Sequence, residues 1–293
     1  MTLVLTVLNV VAPVFLLASL GFAWVKLGWE YPLAFVTRLS MTLAVPCLIF
    51  TALMQTEIDP TALSTLSLAT LAVYVAIAGL LALILWGLGL RMRDYLSPLT
   101  FGNTGNLGLP LALFAFGEIG LSYGVVVFAA MAVLSFTFGT WVVAGGGSPL
   151  TVIREPMVAA TLLGALFLWQ GWETPLFLTN ALELIGQMAI PIMLITLGVA
   201  VAGLRPGKIG RAALLSLLKL AVCVGLAWGI GQAFALDPIA FGVLVLQVCT
   251  PVAVTSYLMA QKYGADAEAV AGLVVVSTLL SVVALPLILS FVI

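Results

Sequence analysis

The sequence predicts an all-α polytopic membrane protein: ten transmembrane helices forming two inverted five-helix repeats, with broken, crossing helices 4 and 9. Three observations carry this expectation. Hydrophobic residues make up 63% of the 293-residue chain and charged ones 7%, against about 25% charged in globular domains. Motifs recur half a chain apart: Gly28-Trp29-Glu30 matches Gly171-Trp172-Glu173, and Pro46 lies 145 positions before Pro191. One apolar run in each half is interrupted by a cluster of proline and small or polar residues. Internal symmetry with interrupted helices is the pattern of membrane carriers. An odd number of spans per copy would set the second copy upside down relative to the first.

The spans follow in order. Met1–Val25 lacks a basic leader region and is long enough to cross, so 2–25 reads as the first helix rather than a cleaved signal. Tyr31-Pro32 precedes a span at 33–55 and Asp59-Pro60 one at 62–90, in a stretch with no charge from 60 to 90. Ser97-Pro98 is expected to be the turn before 98–117. A second uncharged stretch, 119–153, holds the span 120–144. Each uncharged run exceeds the roughly 20 residues that a spanning helix needs. Gly145-Gly146-Gly147-Ser148-Pro149 and the uncharged stretch to Ile153 read as the one linker, joining the copies. The second copy then supplies 155–170, 176–202 after Thr174-Pro175, 209–235, 238–261 after Asp237-Pro238, and 268–292. The expected division is 1–147 and 148–293.

Orientation follows from the basic residues. Lys26, Arg91, Arg93, Arg154, Arg205, Lys208, Arg211 and Lys262 all fall in odd-numbered loops, and the even-numbered loops carry only Glu57, Asp59, Glu118, Glu173 and Asp237. Positive charge marks the cytoplasmic side. The expected location is the inner (plasma) membrane, with both termini outside.

Span 4 contains Gly102-Asn103-Thr104-Gly105-Asn106-Leu107-Gly108-Leu109-Pro110, and span 9 contains Gln247-Val248-Cys249-Thr250-Pro251-Val252-Ala253-Val254-Thr255-Ser256. Glycine and proline are costly inside a helix, and more so in lipid, where each freed backbone group needs a partner. Such backbone persists where it is packed in protein or lines a wet cavity. A shift of 147 places Gly117 on Gly264 and Asn103 on Thr250. Two inverted broken helices would cross near mid-membrane, with the N–H groups of the half-helix starts turned to an anion. Candidate substrate-binding residues are Asn103, Thr104, Asn106, Pro110, Gln247, Thr250, Pro251, Thr255 and Ser256. The competing reading of the glycines is close helix packing, and of the hydroxyls, bonding back to their own helix.

Three ionisable residues fall within spans: Arg38, Glu183 and Lys219. Intramembrane charges are candidates for function. Arg38 either snorkels to the headgroups or offers a cavity a positive charge. Glu183 is the carboxylate for proton or cation coupling, or else a structural partner in a wet vestibule. Lys219 either pairs with Glu183 or neutralises an anion.

The composition also excludes classes of function. With no histidine, metal sites, catalytic triads and proton relays based on imidazole are ruled out. Cys47, Cys223 and Cys249 have no metal spacing and read as small buried thiols. No basic tract exists to bind nucleic acid. No metal, cofactor or enzymatic constellation is expected, beyond H+ or Na+ as a possible coupling ion. A channel would spread polar residues along several helices, whereas here they concentrate at two breaks.

Gly102-Asn103-Thr104-Gly105-Asn106-Leu107-Gly108-Leu109-Pro110-Leu111-Ala112, followed by Phe116-Gly117-Glu118, resembles the fourth-helix signature of the auxin efflux carrier family. Pro251 to Ala260, with Tyr263-Gly264-Ala265-Asp266, resembles its ninth-helix signature. The resemblance spans essentially the whole chain. It implies an elevator-like secondary carrier of small carboxylates, such as auxin-like acids or malonate. Residues 1–56 and 154–203 would form a scaffold, and 60–147 and 207–293 a mobile transport domain. The carboxylate would sit near Asn103 or Asn106 and Pro110, and near Thr250 and Pro251. A homodimer through the scaffold is the family-level expectation. Where plant members place an asparagine on the ninth-helix side, this chain has Thr250 or Thr255-Ser256. Plant members also carry an acidic residue in the third span, and span 3 here has none. The alternative within this relationship is a sodium-coupled symporter of the bile-acid type.

Overall fold

A computed structural model describes residues 3–55, 58–145, 156–204 and 207–293. Glu57, Arg154 and Arg205, and the linker from Gly146 to Ile153, lie outside the described residues.

Among the described residues the chain is all helical, without a β-strand. The helices are α1 (Leu3–Lys26), α2 (Leu33–Leu39), α3 (Val45–Met54), α4 (Pro60–Gly87), α5 (Met92–Thr100), α6 (Leu109–Leu134), α7 (Thr140–Ala144), α8 (Pro156–Gln170), α9 (Leu176–Gln187), α10 (Ala189–Gly203), α11 (Ile209–Ala233), α12 (Pro238–Val248), α13 (Val254–Tyr263) and α14 (Ala267–Val292). Seven helical stretches in the described residues are long and apolar enough to cross a bilayer, and Ala159–Gln170 and Pro238–Val248 are shorter apolar helices.

One of the seven, Thr104–Ala144, has 41 residues, about twice what a ~30 Å hydrocarbon core requires. It folds back on itself. Gly117 takes φ 67° and ψ −156°, and Gly120 then packs against the backbone of Ala112. Eight residues apart in a straight helix would be about 12 Å. Only glycine adopts this φ without strain.

Several prolines sit beside local defects. Pro46 follows a π-helical turn, Ser40–Ala44, continuous with α2 and α3. The wider turn absorbs the hydrogen bond that a proline nitrogen cannot make. Pro191 stands just after the Met188 junction between α9 and α10. Ser97-Pro98 is not the turn expected before span 4. Pro98 lies inside α5, which begins at Met92. The charged start of α5 is held by tertiary bonds instead: buried Asp94 accepts from the Asp266 amide at 3.1 Å and pairs with Arg91 at 3.3 Å. Arg93 Nε donates to the Val143 carbonyl at 2.7 Å, and its Nη2 to that of Tyr263. The arginine thereby caps the C-terminal carbonyls of both α7 and α13.

Matching turns close helices in the two halves. The Trp29 amide bonds back to the Trp24 carbonyl, and the Trp172 amide to that of Phe167, after Gly28 and Gly171 at φ 80° and 64°. Each turn is clasped by edge-on aromatic rings, Trp24 on Trp29 and Phe167 on Trp172. Leu90 bonds back to Leu85 and Leu236 to Gly231 in the same way, and Gly264 closes α13 at φ 69°.

Packing separates the helices into two sets. In the first, α1 lies along α10, and α3 packs on α8 and α9. Glycines set the α1–α10 distance: a Cβ on Gly198 would run into the Ala18 backbone, and one on Gly21 into Ile195. In the second, α4 packs on α5, α6 and α11, and α12 and α14 pack on α11. The sets meet where α1 touches α6 and α14, where α3 and α8 touch α6, and where α10 touches the turn Thr104–Gly108 and α13.

Candidate functional site

The helical backbone stops at Thr100 and resumes at Thr104, and stops at Val248 and resumes at Val254. The two interruptions touch. Gly102 and Val252 form an antiparallel bridge, and the Asn103 amide donates to the Pro251 carbonyl at 2.7 Å. Val252 donates on its other side to Ser277 Oγ at 2.9 Å. These bonds satisfy backbone groups that the helices leave free.

Side-chain size makes the junction close. A Cβ on Gly102 would overlap the Thr250 hydroxyl and sit 3.0 Å from the Thr250 carbonyl oxygen. A Cβ on Gly108 would overlap Gln247 Oε1, and one on Gly124 would meet its Nε2 at 3.0 Å. Gln247 is fully buried between these glycines and donates to the Gly124 carbonyl at 3.3 Å. The Thr250 hydroxyl donates to the Gln247 carbonyl at 2.7 Å, so its role here is to close the end of α12. Pro110, Pro251 and Ser256 are buried. Asn103 and Thr104 are buried too, and Asn103 Nδ2, Thr104 Oγ1 and Gln247 Oε1 have no hydrogen-bond partner.

Two of the nominated substrate-binding residues reach a cavity between the two helix sets. Asn106, on the π-helical turn Thr104–Gly108, and Thr255, in the first turn of α13, line a space of about 160 Å³. The opposite wall comes from the first helix set, with Thr37, Ser40, Met41, Met193 and Thr196. Its volume is about ten times the roughly 10–15 Å³ that one water needs. The Ser40 hydroxyl is buried without a partner, and Thr196 Oγ1 is hydrogen-bonded to Tyr31 Oη at 2.8 Å. Amide groups of the first turns at Thr104 and Val254 lack helical partners and carry partial positive charge. Asparagine and threonine side chains beside them offer uncharged hydrogen bonds. Such a lining suits an anion of a few atoms with an apolar portion.

A second, larger cavity of about 600 Å³ opens beside the C-terminal parts of α3 and α9, lined by Thr51, Gln55, Glu118, Ser122, Glu183 and Gln187 among others. Glu183 accepts a hydrogen bond from Gln55 Nε2 at 2.6 Å. The two cavities lie toward opposite ends of Leu33–Met54, separated by residues 42–47, which line neither. Arg38 is exposed and lines neither. Lys219 does not reach Glu183. It is buried at 3% exposure, with its ammonium 3.6 Å from Cys223 Sγ.

Sequence reasoning missed the anchor of α12. Tyr123 Oη donates to Asp237 Oδ2 at 2.8 Å, while Asp237 Oδ1 accepts from the amides of Ile239 and Ala240. Asp-Pro ahead of an apolar run signalled the cap. Nothing in the sequence signalled the tyrosine.

A family model described as "Membrane transport protein" matches residues 140–289. A Rhizobium meliloti protein named "Putative malonate transporter" is 28% identical over 302 residues, covering 94% of this chain and 92% of that one. An uncharacterized transporter of Methanothermobacter thermautotrophicus is 29% identical over 294 residues, with 94% and 95% covered. One of Methanocaldococcus jannaschii is 22% identical over 197 residues, covering 64% of each chain.

Proposed function

Since the chain belongs to the membrane transport protein family, that of the auxin efflux carriers, we propose that it is a secondary active carrier of small organic anions. The carboxylate binds in the cavity between Asn106 and Thr255. The observation that carries this reading is the placement of that cavity. It lies at the starts of two half-helices, one from each half of the chain, and against a separately packed set of helices. A malonate assignment in one relative's name makes short carboxylates the first substrates to test.

The architecture in this reading is ten spans in two inverted repeats, 1–147 and 148–293. Paired turns at Gly28 and Gly171 and at Gly117 and Gly264 support it, as does the fold-back at Gly117. The set α1–α3 with α8–α10 acts as scaffold, and α4–α7 with α11–α14 moves as the transport domain. Cavities toward opposite ends of the scaffold helices support access alternating between two faces, by an elevator-type movement. Basic loops on one side support an inner-membrane location with both termini outside, and a scaffold-mediated homodimer is part of the same proposal.

Flux of labelled malonate and of aromatic monocarboxylates into proteoliposomes tests this, with sodium and pH gradients imposed separately. Asn106→Ala and Thr255→Ala each remove a hydrogen bond to a charged ligand, about 1.5–3 kcal/mol. KM is expected to rise roughly 10- to 150-fold per variant. Carboxylate flux that is absent, or that has an unchanged KM in both variants, refutes the site. Sodium dependence would assign the bile-acid-type coupling instead.

A further inference from the structure

Behind the second interruption lies a feature that the carrier reading does not use. Lys219 lines a cavity of about 20 Å³ with Ser216, Cys223, Cys249, Thr250, Pro251, Ser277 and others. No carboxylate lines it, and none lies within 4 Å of the lysine nitrogen among the described residues. Its polar neighbours are neutral, and the Ser216 hydroxyl is buried without a partner. An ammonium so placed is costly unless a negative charge offsets it.

Two facts bear on what could offset it. The helix carrying Lys219, α11, packs on α4, α12 and α14, and so belongs to the same set as both interruptions. Pro251 lines the lysine's cavity and Thr255 the anion cavity. Three residues lie between them, so their Cα atoms are at most about 14 Å apart even fully extended. Lys219's own cavity is too small for a carboxylate. The two charges therefore act on each other across the Pro251–Thr255 segment without touching.

We propose that Lys219 is a resident counter-charge: it travels with the interruptions and makes the translocation step of a monocarboxylate electroneutral. The proposal rests on the carrier reading above. Lys219 is a positioning and selectivity residue here, acting on the anion through the field rather than by contact. A loaded monoanion and the ammonium together carry no charge across the membrane. A loaded dianion carries one.

Substrate exchange separates this role from a structural one. Proteoliposomes hold the same carboxylate on both sides at equal pH, and a potassium gradient with valinomycin sets the membrane potential. The wild-type rate of monocarboxylate exchange is expected to be the same at 0 and 100 mV. A dicarboxylate in its doubly charged form should exchange with voltage dependence. One charge crossing 100 mV changes an equilibrium about 50-fold, or about sevenfold in rate if half is felt at the barrier. Lys219→Met should confer that voltage dependence on the monocarboxylate, and Lys219→Arg should not. A merely structural lysine would slow exchange equally at every potential. Voltage-dependent monocarboxylate exchange by the wild type overturns the proposal without recourse to variants, as does voltage-independent exchange by Lys219→Met. If no carboxylate exchanges at all in the wild type, it is the carrier reading that fails.

Discussion

The contact between Gly102 and Thr250 sets the geometry at which the two interruptions meet, and Gly102→Ala perturbs it directly. The new methyl group would overlap the Thr250 hydroxyl and press to 3.0 Å on its carbonyl oxygen. Ordinary contact is near 3.5 Å, so the backbones must part. Overpacking of this kind costs about 1–3 kcal/mol, and parting also strains the Asn103–Pro251 hydrogen bond of 2.7 Å, another ~1 kcal/mol. Thr250→Ala alone loses the 2.7 Å bond to the Gln247 carbonyl, about 0.5–1.5 kcal/mol. Together the substitutions should cost less than their sum. Removing the hydroxyl relieves the worst overlap but leaves the carbonyl oxygen, so a coupling of about 1 kcal/mol is expected. Chemical unfolding in detergent micelles measures the four stabilities, and carboxylate flux reports whether the junction recovers. Strict additivity, or a neutral Gly102→Ala, would refute the reasoning from close approach.

Three further outcomes are expected. Asp237→Ala removes the cap of α12 and the acceptor for Tyr123, and should lower stability by about 1–2 kcal/mol; Tyr123→Phe should lose part of this, and the pair less than the sum. Gly198→Ala drives a methyl into the Ala18 backbone, and a loss of about 1–3 kcal/mol should appear as a lower melting temperature in nanodiscs. The Lys208–Asp266 pair, at 2.7 Å, holds the Asp266 carboxyl below its ordinary range and raises Lys208 above its own. The carboxylate's share of stability is present above pH ~4 and lost as pH falls through its lowered value, and the lysine's share is lost only above pH ~10.4. Melting between pH 5 and 9 should therefore be insensitive to Asp266→Asn relative to wild type in its slope, with the two curves converging in acid.

Most helices were legible because apolar runs bounded by Asp-Pro or Gly signals admit few alternatives in lipid. Asp59 and Asp237 accept from amides of the turns that they precede, and these residues marked the starts; Asp266 does the same for α14. The start of α5 was illegible because Met92-Arg93-Asp94 is charged, and its stability comes from Val143, Tyr263 and Asp266 far away in sequence. Composition located the interruptions, but it could not say which residue faces which. Asn106 and Thr255 line the cavity of about 160 Å³ while Gln247 fills the gap between Gly108 and Gly124, a difference of register to which periodicity is blind. The surroundings of Lys219 were hidden for the same reason: apolar residues flank it along α11, and the facing of the helix could not be read from them.

Gly102 against Thr250 and Gly108 against Gln247 give the junction an evolutionary consequence. In each pair the first half of the chain contributes nothing but backbone, and the second half fills the space. The unit under selection is then the sum of two volumes rather than either residue. Among relatives, a larger residue at the position of Gly102 should be accompanied by a smaller one at that of Thr250. Halves that meet this closely cannot change independently: each change of size on one side must await, or provoke, its answer on the other.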